Sequence, residues 1–222
     1  MQKLATHGHS RLISRLVGLK RNQFLRFLVT TEQTLPRDLM DAEILAMWPD
    51  LPLVHRFLLA TGQPLKDIVE MDWSDIDEET GVWRRTKKTS STVWDLTIPE
   101  WVLTWLPRSS MGTGVFLNAD GALLTPEGVS TQLDEHVSSI GMETVTAEDI
   151  RNYVRGQMTE LGNAELAGQV VDQAEAISTG RVSLERQVAA QATLMEHWSY
   201  RLQEIVLEGG STLGDTPLSN SH

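Results

Sequence analysis

Between about Ser10 and Val29 the apolar residues Leu12, Ile13, Leu16, Leu19 and Leu25 recur at helical spacing, with basic residues between them. That pattern predicts one or two amphipathic helices. The polar stretch from Thr31 to Pro36 reads as a linker, its proline punctuating entry to the next element. Residues 38–180 form the predicted body. It has helices near 38–48 and 52–61, a short one at 65–71, a hairpin at 81–98, then helices near 99–106, 126–140, 147–161 and 163–177. Gly141 and Gly162 fall where helices should stop. A last helix is predicted from about Ser183 to Glu208, where Val188, Ala192, Met195, Trp198, Leu202 and Ile205 follow a 3–4 spacing. Such a stripe has to be covered, either by the chain's own body or by a neighbouring subunit. The polar residues from Gly209 to His222 are predicted to be a disordered tail. The fold class that follows is mainly α with a small antiparallel β-sheet, α+β. Its four parts are a basic helical arm and linker (1–35), the body (36–182), the C-terminal amphipathic helix (183–208) and the tail (209–222).

A length of 222 residues with 41% hydrophobic content suffices for one large domain, or one domain and a small arm. With no cysteine, disulfides and thiolate metal sites are excluded. No segment reaches the roughly 18 uninterrupted apolar residues of a membrane helix. The first residues also lack the apolar block and cleavage site of a signal peptide, so a soluble cytoplasmic protein is the expectation.

Charge changes the picture more. The net charge is −11, yet residues 1–31 hold six basic groups (Lys3, Arg11, Arg15, Lys20, Arg21 and Arg26) and no acid, which leaves −17 for the rest. Duplex DNA is a dense polyanion bound largely through counterion release. An acidic body disfavours it, whereas the arm suits it, through Arg11, Arg15, Lys20 and Arg21. The same arm also suits an acidic protein partner, including another copy of the chain.

One run carries more information than its neighbours. Thr61-Gly62-Gln63-Pro64-Leu65-Lys66-Asp67-Ile68-Val69-Glu70-Met71-Asp72-Trp73-Ser74-Asp75-Ile76-Asp77 resembles a stretch of the tyrosine recombinase, or phage integrase, catalytic domain. There the family reads roughly T-G-x-R, a short helix, then L-x-W-x-D-I-D. Further matches follow in the family's order. Val82 to Thr89 and Val93 to Pro99 look like its β-strands with a lysine between them, then come Val115-Phe116-Leu117, Gly121 to Thr125, and Glu148-Asp149-Ile150-Arg151 in place of H-x-L-R. Gly162 closes the next helix eleven residues after Arg151. The resemblance covers about residues 36–183 and implies a mainly α fold with a small antiparallel sheet.

It also implies a chemistry that this chain meets only in part. In the family a tyrosine attacks the scissile phosphate, two arginines and a lysine stabilise the transition state, and histidine or lysine groups manage protons. Arginine suits the task because its planar fork donates two hydrogen bonds while staying charged. Pro64 stands where the first arginine is expected and offers neither charge nor a backbone N–H. Gln63 beside it has a neutral amide to donate, and Lys66 is the nearest cation, but neither reproduces a bidentate cation. Glu148 replaces the histidine and puts an anion where a phosphate would sit. Lys87 or Lys88 matches the hairpin lysine and Arg151 the second arginine, so Lys87, Lys88 and Arg151 join the arm residues as candidate nucleic-acid contacts. Pairing of Arg151 with Glu148, three residues before it, explains that arginine equally well, and a solvated hairpin turn explains the two lysines. The family's spacing places its glycine-histidine pair at Gln173-Ala174 and its nucleophile near Ser183. Neither residue type is there, and helix N-capping explains Ser183. Of the two tyrosines, Tyr153 falls at a helical position where the family has threonine. Tyr200, three residues after His197, is the remaining candidate nucleophile.

Other chemistries are weaker. His7-Gly8-His9 lacks a third ligand nearby. Asp72, Asp75 and Asp77 lack the glycine and terminal glutamate of a calcium loop, and the family resemblance implies instead that the Asp-Ile-Asp run caps a helix-to-strand turn. Gly112-Thr113-Gly114 lacks the lysine of a phosphate loop. No metal and no cofactor are expected. The leading expectation is a catalytically inactive recombinase-like accessory that associates with DNA or a protein partner. Two alternatives remain: an active recombinase rebuilt around Tyr200, Arg151 and Lys88, or an acidic oligomerising scaffold without DNA binding.

Overall fold

The computed structural model describes residues 37–86, 93–107, 113–172 and 184–208. The arm candidates Arg11, Arg15, Lys20 and Arg21, the hairpin lysines Lys87 and Lys88, the His7–His9 pair, Gly112, Gln173, Ala174, Ser183 and the tail lie outside these residues.

Helices α1 (Asp41–Met47), α2 (Leu53–Thr61) and α3 (Leu65–Val69) open the body and lead into a 3-10 turn, Trp73–Asp75. Strands β1 (Ile76–Asp77), β2 (Val82–Thr86) and β3 (Val93–Thr97) follow, then α4 (Glu100–Leu103), α5 (Pro126–Ser139), α6 (Ala147–Leu161), α7 (Ala164–Val171) and α8 (Leu184–Gln203), which ends in a π-helical turn, Glu204–Glu208. The expected mainly helical fold with one small sheet is what forms. The helix expected over 163–177 is described only to its cap at Asp172.

Several boundaries have a local cause. The Thr125 side chain accepts the Gly128 N–H at the start of α5, and Pro126 follows at the first helical position, where a missing N–H costs nothing. Thr146 and Asp149 cap α6 reciprocally, and Asn163 caps α7. Gly141, just past α5, has φ +72, the left-handed conformation that glycine adopts without steric cost. Asp72 accepts the Ser74 N–H at 2.8 Å, and Asp77 accepts those of Glu79 and Thr80 at 3.1 and 3.2 Å. Asp72 therefore holds the helix-to-strand turn, whereas Asp77 holds the turn between β1 and β2.

The sheet is antiparallel in the order β1-β2-β3, with Trp83 opposite both Ile76 and Leu96. Alternation turns these three side chains inward and leaves Arg84 outside, bonded to Asp95 by two 3.0 Å contacts. Trp83 meets Phe57 of α2 edge-on at 6.0 Å. Helix α2 is the centre of the core: Phe57, Leu58 and Leu59 are fully buried, and α5, α6 and α8 all pack against it.

Leu194, Met195, Trp198 and Leu202 of α8 are buried against the same chain, and the Trp198 Nε1–H donates to the Leu59 carbonyl at 3.0 Å. The apolar stripe is thus covered in cis. Val188 departs from the expected stripe and is 41% exposed. The first turns of α8 meet the body through Gln187 and Gln191, whose amides donate to Gln169, so a valine there finds no apolar cover.

Candidate functional site

Three segments meet at the end of α2. Gly62 caps that helix with φ +64, and its N–H donates to the Leu58 carbonyl at 2.7 Å. A Cβ at this position would stand 3.0 Å from both Val154 of α6 and Val171 of α7. The Thr-Gly pair therefore has two structural reasons, a left-handed backbone and a close approach of two helices. Pro64 then opens α3, its carbonyl accepting the N–H groups of Asp67 and Ile68. The position expected to carry an arginine instead starts a helix.

Gln63 is fully buried between these elements. Its amide nitrogen donates to the carbonyls of Thr61 (3.0 Å) and Val170 (2.8 Å), which uses both of its hydrogens. The neutral donor offered by the sequence is thus spent on backbone. Lys66 is exposed on α3.

Arg151 lies on α6 with its side chain 15% exposed. Its Nε donates to the Gly62 carbonyl (3.1 Å), Nη1 to Glu148 (2.6 Å), and Nη2 to the Val171 carbonyl (3.1 Å) and Asp172 (3.4 Å). A guanidinium has five N–H donors, and four bonds are made here within the chain. Asp172 also accepts from Arg155, which completes a neutral set of two arginines and two carboxylates. The Glu148–Arg151 pairing expected from helical spacing is present. The arrangement acts as a staple. It supplies donors to carbonyls that α2 and α7 leave open at their C-terminal ends, and ties both to α6.

The tyrosines stand elsewhere. Tyr153 is buried, donates to Asp41 at 2.7 Å and meets Trp198 edge-on at 6.1 Å. Burial, then the bond to Asp41, pushes its phenol well above the usual range, so it stays protonated. Asp41 is held in turn by Arg201 of α8. Tyr200 is 58% exposed on the outer face of α8, its hydroxyl 3.4 Å from Glu196, and no described hydrogen bond joins it to Arg151. His197 is exposed beside it. Among the described residues no group of three or more His, Asp or Glu is placed to hold a metal ion, and no helix is long and apolar enough to cross a membrane.

No family model matches the sequence, and no curated protein sequence matches it. Solved structures do match. The integrase from mycobacterium phage Brujita superposes with a TM-score of 0.57 at 16% identity, over 78% of this chain and 64% of that one. The lambda integrase catalytic core gives 0.51 at 16% identity, over 60% of this chain and 93% of that one. The fold is that of an integrase catalytic domain. An integrase of the Tn1549 transposon, in complex with circular intermediate DNA, gives 0.51 at 14% identity over 72% of this chain and 66% of that one. The chain thus spans nearly all of the isolated lambda core, but about two thirds of the longer integrases.

The residues missed by sequence reading are Asp172 and the acceptor carbonyls of α7. Gln63 and Val170 are 107 residues apart, and Arg151 and Gly62 are 89 apart. No local pattern joins them.

Proposed function

We propose that this protein is a catalytically inactive recombinase-like protein that serves as an accessory in recombination, integration or another mobile-element process, associating with DNA or with a protein partner. The observation that carries this reading is the closure of Arg151 into a neutral network within the chain, beside a proline where the first arginine is expected. Donors aimed at charge developing in a transition state contribute about 2.7–4 kcal/mol each. A site without one arginine, with the other committed to backbone and carboxylates, lacks several such terms at once. Tyr200 adds no support for turnover, since its hydroxyl faces outward beside Glu196.

DNA association is supported by the neighbours in fold. One is a lambda integrase dimer bound to a core site, and another the Tn1549 integrase held on circular intermediate DNA. On this chain the contact is assigned to the basic arm, with Arg11, Arg15, Lys20 and Arg21, and to Lys87 and Lys88, because the remainder is strongly acidic. Covering of the α8 stripe in cis favours a partner surface away from that helix.

Incubation with suicide DNA substrates tests the reading. No covalent adduct is expected. An adduct formed by the wild type and lost in Tyr200→Phe would establish an active enzyme instead. Gel shifts across a salt series are expected to show binding that weakens as salt rises, and to lose it in Arg15→Glu with Arg21→Glu. Absence of binding even at low salt would leave the protein-partner role alone.

A further inference from the structure

A second surface has no part in the network around Arg151. Trp48, just past α1, and Trp101 and Trp105, in and after α4, form one half-buried cluster. Trp48 and Trp101 stack at 6.3 Å with an interplanar angle of 19°, and Trp105 meets them edge-on at 5.6 and 4.4 Å. Arg56 lies over the Trp48 ring at 5.1 Å and donates to the Trp48 carbonyl, so its charge is already engaged. Pro52, four residues after Trp48, and Pro107, two after Trp105, line an open groove of about 350 Å³ with Leu53, Phe116, Leu117 and Leu124. None of the three tryptophans lines the groove, but their chain neighbours do, and rigid aromatic side chains that keep part of their surface in water are the typical anchors of a protein interface.

Charge says what fits there. The segments that build the cluster and groove, residues 48–56, 100–107 and 113–127, carry four exposed carboxylates, Asp50, Glu100, Asp120 and Glu127. Their single Lys or Arg is Arg56. A polyanion is disfavoured on such a face, whereas cations gain both from the carboxylates and from tryptophan faces. We propose that this tryptophan face and its groove form a docking surface for a basic, apolar segment of a partner protein, in which lysine or arginine flanks leucine-like side chains. The proposal rests on the partner-binding part of the function proposed above and names the surface that serves it.

The test titrates the full chain into a fluorescent synthetic peptide in which lysines and arginines flank leucines, and reads anisotropy. Binding is expected to weaken at least tenfold in Trp101→Ala, and several-fold in Glu100→Lys with Asp50→Lys, which alters charge without touching the packing. Circular dichroism reports whether each variant is folded. If Trp101→Ala does not fold, the charge variant decides. A control peptide with every Lys and Arg replaced by Glu is expected not to bind. Equal binding by the wild type and the charge variant, or no binding by the wild type, would overturn the proposal. So would duplex DNA binding that is lost in Trp101→Ala, since the face would then read nucleic acid. The two readings fail separately, because absent peptide binding leaves the covalent-adduct result unchanged.

Discussion

Two junctions secure the last turn of α2, and they do it with opposite materials. At Leu59 the carbonyl receives an indole N–H from Trp198, a fully buried side chain with Leu194, Met195 and Leu202 around it. Three residues on, the Gly62 carbonyl receives a guanidinium N–H from Arg151, set among two carboxylates and a second arginine. The apolar junction gains from area removed from water. The polar junction gains less, since its charges must offset their own desolvation and share exposure with solvent. A charged group at a position where a resemblance expects chemistry can therefore spend four of its five donors within the fold, and only the count of its donors reveals it.

Substitutions can break this contrast, and the largest effect is expected at the apolar junction. Trp198→Ala should cost about 3–5 kcal/mol, measured by denaturant unfolding, because it empties a large buried volume and leaves the Leu59 carbonyl without its donor. A loss below about 1 kcal/mol would show that α8 is not held in cis by this contact.

Next comes a group between α2 and α5. His55 is fully buried, its Nε2–H donates to the Val129 carbonyl at 2.9 Å, and its Nδ1 has no partner. Burial first, and the nearby His136, lower its pKa to about 4, against the bond to Val129 that raises it. A histidine whose folded pKa is depressed binds fewer protons folded than unfolded. Its stability contribution is therefore complete above the ordinary value of 6.5 and is lost as pH falls from about 6.5 towards about 4. The full span is worth about 3 kcal/mol. Melts at pH 7 and pH 4.5 should differ accordingly, and His55→Gln should flatten that difference. An unchanged pH dependence in the variant would assign the effect to other groups.

A smaller loss is expected at the polar junction. Arg151→Ala leaves the Gly62 and Val171 carbonyls short of a donor and should cost about 1–3 kcal/mol in unfolding free energy, with DNA affinity in gel shifts unchanged. The staple would be refuted by unchanged stability together with weakened DNA binding. Smallest of all, Tyr200→Phe should move stability by no more than about 0.5 kcal/mol, as for other exposed side chains away from buried networks. A larger loss would mean that the Tyr200 hydroxyl has a structural partner beyond Glu196.

Much of the architecture is legible in the order of residues. The caps Thr125, Thr146 and Asn163 each act on the backbone three residues away, so their meaning is local. The Asp72 and Asp77 turns and the Glu148–Arg151 pair are legible for the same reason. The tryptophan face left a weaker trace. Seven tryptophans in 222 residues are conspicuous, but nothing local brings Trp48 to Trp101 and Trp105.

The sequence by itself determined the order and approximate positions of the helices and of the hairpin, but not the strand Ile76–Asp77 or the short span of α4. It also showed where the chain departs from the resemblance, because Pro64 and Glu148 differ in kind from the arginine and histidine expected there. Only the tertiary structure decided which partners Arg151 meets. The Arg151 donors meet carbonyls 89 and 20 residues away, and those acceptors converge only when α2, α6 and α7 pack together around Gly62. The periodicity of α8 required a cover, and the packing of the whole body supplied it from the same chain. Short-range hydrogen bonds and side-chain spacing are written along the chain, whereas the partners of a donor set depend on which distant carbonyls the core brings within about 3 Å.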